Sequence, residues 1–96
     1  MPKGYLIAQV NVTNPEAYAE YGRVAGALLK AAGARQILNA DSAIVVEGRP
    51  KARTVIFEFD SLDAAKAFWN STEYQASIAL RQNAAVGDFI LVEGAV

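Results

Sequence analysis

The 96-residue chain contains no cysteine and no histidine. The first absence excludes disulfides, thiolate nucleophiles and zinc–sulfur sites. The second excludes Ser-His-Asp and Cys-His arrangements, histidine-ligated haem and histidine-based metal sites. No Gly-rich phosphate loop occurs, and the carboxylates show neither Mg²⁺ nor Ca²⁺ spacing. Neither a metal nor a cofactor is therefore expected. No apolar run approaches the ~18 residues needed to span a membrane. Charge of one sign is also missing. Nine basic residues against ten acidic ones give a formal net charge of −1, without the concentrated basic field that nucleic acid requires. No signal-type apolar region precedes the first strand, so a cytoplasmic location is expected.

Apolar residues are plentiful. They make up 53% of the chain, against 20% charged. Ninety-six residues form one domain, 1–96, which buries roughly 60–65% of its unfolded surface. An apolar excess in so small a chain points to a second subunit covering part of it.

The pattern along the chain is strand, helix, strand, strand, helix, strand. Leu6 to Val12 alternates, with Leu6, Ala8, Val10 and Val12 on one face and Tyr5, Ile7, Gln9 and Asn11 on the other. Asn14 caps a helix over Pro15 to Ala32, with proline at its first position and Glu16 near its positive end. Tyr18, Tyr21, Val24, Leu28 and Ala32 share one stripe, and Gly33 supplies a left-handed stop. Arg35 to Asn39 reads as a strand and Ala43 to Glu47 as a short strand or hairpin arm. Gly48 to Lys51 reads as a loop. Arg53 to Phe59 is the strongest strand by propensity, with Val55, Phe57 and Phe59 on its apolar face and Thr54, Ile56 and Glu58 opposite. Ser61 caps a second helix from Leu62, with Ala65, Phe68 and Trp69 inward. Ser71 caps a restart after a break at Asn70-Ser71 that continues toward Leu80. Gly87-Asp88 reads as a turn into a final strand, Phe89 to Glu93. This order is an α+β, ferredoxin-like βαββαβ plan with an antiparallel sheet, one face of which the helices leave bare.

Four sets of residues can carry chemistry. Trp69, Ser71 and Tyr74 belong to the densest polar–aromatic run, where a broken helix offers backbone donors to an anion or carbonyl; the alternative is capping and core packing. Tyr18 and Tyr21, three apart, either donate hydrogen bonds into a small-molecule pocket or simply pack on the sheet. Glu58 is a carboxylate in the middle of the best strand. Burial would raise its pKa into the general acid/base range, and an ion pair with Arg35, Arg53 or Arg81 would make it structural. Arg35, Arg53 and Arg81 lie at element ends, where together they can hold a carboxylate.

The segments Gly4-Tyr5, Asn14-Pro15-Glu16-Ala17-Tyr18-Ala19-Glu20-Tyr21, Glu47-Gly48, Pro50-x-x-Arg53-Thr54-Val55, Glu58-Phe59-x-Ser61, Trp69-x-Ser71-x-Glu73-Tyr74 and Glu93-Gly94 carry a resemblance. Together the chain resembles the domain of unknown function 1330 family over nearly its whole length. That family is similar to the dimeric α/β-barrel superfamily, which includes cofactor-free monooxygenases, muconolactone isomerases and stress-response domains. The resemblance implies a homodimer of two sheets closed into a barrel and implies no particular reaction. The chain departs from the family pattern at Gly33-Ala34 (commonly Gly-Gly), Asn39-Ala40-Asp41 (commonly Arg-Gly-Gly) and Thr72 (commonly proline).

Residues and resemblance together predict a small-molecule pocket between sheet and helices for an aromatic or anionic metabolite. Cofactor-free acid/base or oxygenase-like chemistry is one outcome, with Glu58 as the proton handler and Tyr18, Tyr21, Trp69, Ser71, Tyr74 and the three arginines as ligand contacts. A non-catalytic binding module and a purely structural homodimer are the others.

Overall fold

The computed structural model describes all 96 residues, Met1–Val96. The elements are β1 (Gly4–Val12), α1 (Pro15–Ala31), β2 (Arg35–Ala40), β3 (Arg53–Phe59), α2 (Leu62–Trp69), α3 (Thr72–Ser77) with a 3₁₀ turn over Ile78–Leu80, and β4 (Ala85–Glu93). The four strands form one antiparallel sheet in the order β2-β3-β1-β4. This is the ferredoxin-like plan read from the sequence. No helix is long and apolar enough to cross a membrane.

Three side-chain caps start the helices as expected. Asn14 accepts from the Ala17 amide at 3.2 Å, Ser61 from Ala64 at 3.0 Å and Ser71 from Tyr74 at 3.2 Å. Each satisfies a backbone donor that the first turn would otherwise leave free. Gly33 ends α1 at φ 77°, a conformation that glycine adopts without a Cβ clash.

The core lies on one side of the sheet. Leu6 and Phe59 meet Ala65 and Phe68 of α2, Tyr74 of α3, and Tyr21, Ala25 and Leu29 of α1. On α1 the buried stripe is therefore Tyr21-Ala25-Leu29, with Tyr18, Val24 and Leu28 half-buried and Ala32 exposed. The expected stripe was offset by one residue in its second half. The helix leans on α3 and the 3₁₀ turn rather than lying flat on the strands.

The opposite sheet face has no helical cover, and the whole molecule is a slab 36 × 34 × 16 Å. Cross-strand register lines up Leu38, Ile56, Ile7 and Ile90 in one aliphatic row across all four strands of this outer face. Polar rows flank it: Arg35, Glu58 and Tyr5 on one side, Thr54, Gln9 and Asp88 on the other.

Two expectations about strands are corrected. Ala43–Glu47 forms neither strand nor hairpin arm; it is irregular and exposed, because no strand lies alongside to complete a ladder. Gly87-Asp88 is not a turn, since β4 begins at Ala85 and Gly87 pairs with Val10. A Cβ at Gly87 would come within 3.1 Å of the Gln9 carbonyl and the Val10 side chain, so the glycine permits close strand approach there.

Candidate functional site

Because α1 is propped away from the sheet, a cavity of about 370 Å³ opens between them. That is within the usual range for small-molecule sites. Its floor is the inner sheet face, including Leu6, Ala8, Val55, Phe57 and Phe89. Its wall and roof come from Tyr18, Tyr21, Gly22, Ala25, Gly26 and Leu29 of α1 and from Tyr74. The polar groups at its margin are Gln36, Asn39 and Arg53.

The tyrosines form a linked set. The Tyr18 and Tyr21 rings lie 5.4 Å apart, and the Tyr21 and Tyr74 hydroxyls are hydrogen-bonded at 2.8 Å in the buried core. Burial, reinforced by the Tyr74 hydroxyl, pushes the Tyr21 phenol far above its ordinary range. Burial likewise raises the Tyr18 phenol, against the opposing charges of Arg53 and Arg81. These phenols are therefore neutral hydrogen-bond donors and acceptors near neutral pH, not bases.

Two guanidinium groups converge on this set. Arg53 lines the cavity and stands 5.8 Å from the centre of the Tyr18 ring. Its one acidic partner is Asp41, at 3.3 Å, whose side chain is largely exposed. Arg81 forms the back of the aromatic wall. Its guanidinium carbon is 4.0 Å from the Phe89 ring centre and 5.3 Å from that of Tyr21, and its Nη2 approaches the Tyr74 hydroxyl at 3.5 Å. No carboxylate pairs with it. The Nε atoms of both arginines are buried and have no hydrogen-bond partner. Buried donors are normally satisfied, and a cation in an apolar wall is stabilised by an anion brought to it.

The remaining candidates lie elsewhere. Trp69 stacks behind Tyr74 at 4.9 Å and against Phe89 at 5.8 Å, and is outside the cavity lining. Ser71 uses its hydroxyl for capping, donating to the Phe68 carbonyl at 2.7 Å while accepting from Tyr74. Arg35 and Glu58 sit on the outer sheet face, across the sheet from the cavity. Glu58 accepts from Arg35 Nε at 2.9 Å and from the Tyr5 hydroxyl at 2.9 Å, and Arg35 also reaches Asp60 at 3.2 Å. Arg35, followed by Tyr5, holds the Glu58 carboxyl below its ordinary range, whereas burial alone would have raised it. Of the two readings left open, the ion pair with Arg35 is the one formed, because the uncovered face leaves room for both donors.

Sequence reasoning missed Gln36 and Asn39. Strict alternation sets residues 36 and 39 on opposite faces. A bulge between Gln36 and Leu38 turns both toward the cavity, opposite Phe57 and Val55.

Fold and cavity define a small ferredoxin-like α+β domain with an aromatic, arginine-flanked pocket. The chain belongs to the DUF1330 family, a domain of unknown function whose model matches residues 3–95. No curated protein matches it. Among solved structures it is similar to the RPA0582 protein of unknown function from Rhodopseudomonas palustris, at 20% identity and TM-score 0.78, covering 99% of this chain and 84% of that one. A dimeric ferredoxin-like protein of unknown function from Thermobifida fusca matches at 15% identity and TM-score 0.62, over 99% and 92% of the two chains. SnoaB, a cofactor-independent oxygenase from Streptomyces nogalater, matches at 11% identity and TM-score 0.63, over 96% and 92%. At these identities the likeness is one of fold.

Proposed function

We propose that the cavity between α1 and the sheet binds a small planar organic anion, such as an aromatic carboxylate or an enolate. The carrying observation is the Arg53 guanidinium, its Nε buried and unbonded, in the lining of a largely apolar, aromatic cavity, with Arg81 behind the tyrosine wall. Arg53 meets the anionic group directly, and the Tyr18 hydroxyl donates beside it. Arg81 acts through Tyr74, polarising its hydroxyl toward the ligand. The apolar floor takes the ring or hydrocarbon part.

This donor set suits a ligand whose negative charge grows as it reacts. Stabilising an enolate or phenolate assists proton transfer, and it assists substrate-driven reaction with dioxygen, without a resident cofactor. The fold shared with a cofactor-independent oxygenase supports that chemistry as the class to assay first. In this reading Glu58 organises the outer face, and the ligand's proton is handled by the ligand itself or by water.

The protein is further proposed to be a homodimer that pairs through its outer sheet faces. The aliphatic row between two polar rows supports it, as does the description of a similar fold as dimeric.

The test is a thermal-shift panel of aromatic and enolic carboxylates against their methyl esters. A bound acid at 100 times its Kd stabilises by about 2.7 kcal/mol. Arg53→Gln is expected to weaken the acid at least ~10-fold, the usual scale for a lost charge-assisted hydrogen bond, and to leave the ester unchanged. No response to any acid, or equal responses to acid and ester, contradicts the proposal. Turnover of a bound acid under air separates an enzyme from a binding module.

A further inference from the structure

We infer that the segment Ala43–Glu47 is an exchanged arm that folds against a second copy of the chain; this rests on the homodimer reading above. Ile44, Val45 and Val46 are 94%, 53% and 93% exposed, three consecutive large aliphatics left in water. Ala-Ile-Val-Val is among the strongest strand-forming stretches in the sequence, yet it has no ladder. Its own protomer leaves it uncovered, although an apolar groove beside Val10, Val12 and Pro15 opens next to its two roots at Asp41 and Ala52. On the return path, the Lys51 amide donates to the Gln9 side chain at 3.2 Å and the Ala52 amide to Asn11 at 2.8 Å, while the Lys51 ammonium pairs with Asp88. Gln9, Asn11 and Asp88 all belong to the outer sheet face. The arm's return root is thus tied to the face that the homodimer reading covers, while Asp41 at its outgoing root pairs with Arg53 on the inner face.

One sheet face, four strands about 4.8 Å apart and about seven residues long, spans roughly 450 Å² in plane and somewhat more in accessible area. Two arms reaching across would enlarge the contact toward the middle of the ~1,200–2,000 Å² that stable interfaces bury. The receiving element is the free edge of β4, whose backbone groups are unpaired on its outer side and whose Val86 and Ile90 are exposed. The β2 edge is interrupted by its bulge and continues directly into the arm.

The experiment combines hydrogen exchange with sedimentation on the full chain. At micromolar concentration the amides of residues 43–47 are expected to exchange at least ~10-fold more slowly than after dilution to monomer. The double variant Ile44→Asp/Val46→Asp is expected to keep its circular dichroism spectrum and weaken self-association at least ~100-fold. A wild-type chain that stays monomeric at high concentration overturns the homodimer reading and the arm with it. A wild-type dimer whose dissociation constant the double variant leaves unchanged, with freely exchanging arm amides, overturns the arm alone. Protection that persists in the monomer also overturns it, by assigning the segment to the chain's own groove beside Val10, Val12 and Pro15.

Discussion

Gly22 and Gly26 sit one turn apart in the interior of α1, and both line the cavity. A Cβ at either position would meet nothing within 4 Å. Neither has a positive φ. The fold therefore has no steric need for glycine there, and each glycine costs α1 about 0.5–1 kcal/mol relative to alanine. Gly22→Ala/Gly26→Ala is expected to stabilise the protein by about 1–2 kcal/mol, since the two changes share no partner. In a domain of this size that raises the Tm by roughly 4–16 °C. The assay is thermal and urea unfolding followed by circular dichroism, with ligand titration alongside. The added methyl groups narrow the cavity, so the stabilised variant is expected to bind the organic anion less well. A fall in Tm would refute the reasoning, because it would mean that something packs on the glycine face.

Other perturbations test other parts of the account. Phe59 is 1% exposed and stacks on Phe68 at 5.5 Å; Phe59→Ala is expected to cost about 3–5 kcal/mol, measured by urea denaturation. Gly4→Ala should destabilise by more than Gly22→Ala stabilises, because a Cβ at Gly4 falls on the Ser61 carbonyl and 2.6 Å from the Leu62 backbone, which must move; comparative melts settle it. Glu58 has its folded-state pKa lowered, first by Arg35 and then by Tyr5, so its contribution to stability is complete above the ordinary carboxylate pKa and disappears as pH falls below it. Urea midpoints measured from pH 7 to pH 3 should fall less steeply in Glu58→Gln; an unchanged slope would remove Glu58 from the acid response.

Alternation and capping made much of the fold readable. Leu6, Ala8 and Val10 alternate with Tyr5, Ile7 and Gln9, and that pattern alone assigns the two faces of β1. Asn14, Ser61 and Ser71 each cap the helix they announce, because a short polar side chain before an apolar run has one local use. Ala43–Glu47 was misread because propensity describes a willingness to pair and does not provide a neighbour. Gly87-Asp88 was misread because glycine marks a close approach in a strand as readily as a turn. At the site, spacing sets Tyr18 and Tyr21 on one helical face, whereas only tertiary packing brings Tyr74 and Arg53 beside them. Gln36 and Asn39 were invisible because one bulge reverses the parity of β2. Glu58 was singled out as an unusual charge in a strand, but its partners Arg35 and Tyr5 come from different strands, and only register joins them.

The claim on which the functional reading depends is that Arg53 awaits an anion and that Arg81 senses it through Tyr74. It is tested most directly by the Nε–H resonances of the arginines, followed by NMR during titration with benzoate and with methyl benzoate. The Arg53 and Arg81 signals are expected to shift and saturate with the acid and stay still with the ester, while exposed Arg49 responds to neither. Signals from Arg53 and Arg81 that stay fixed, or that only drift in step with Arg49, would contradict it.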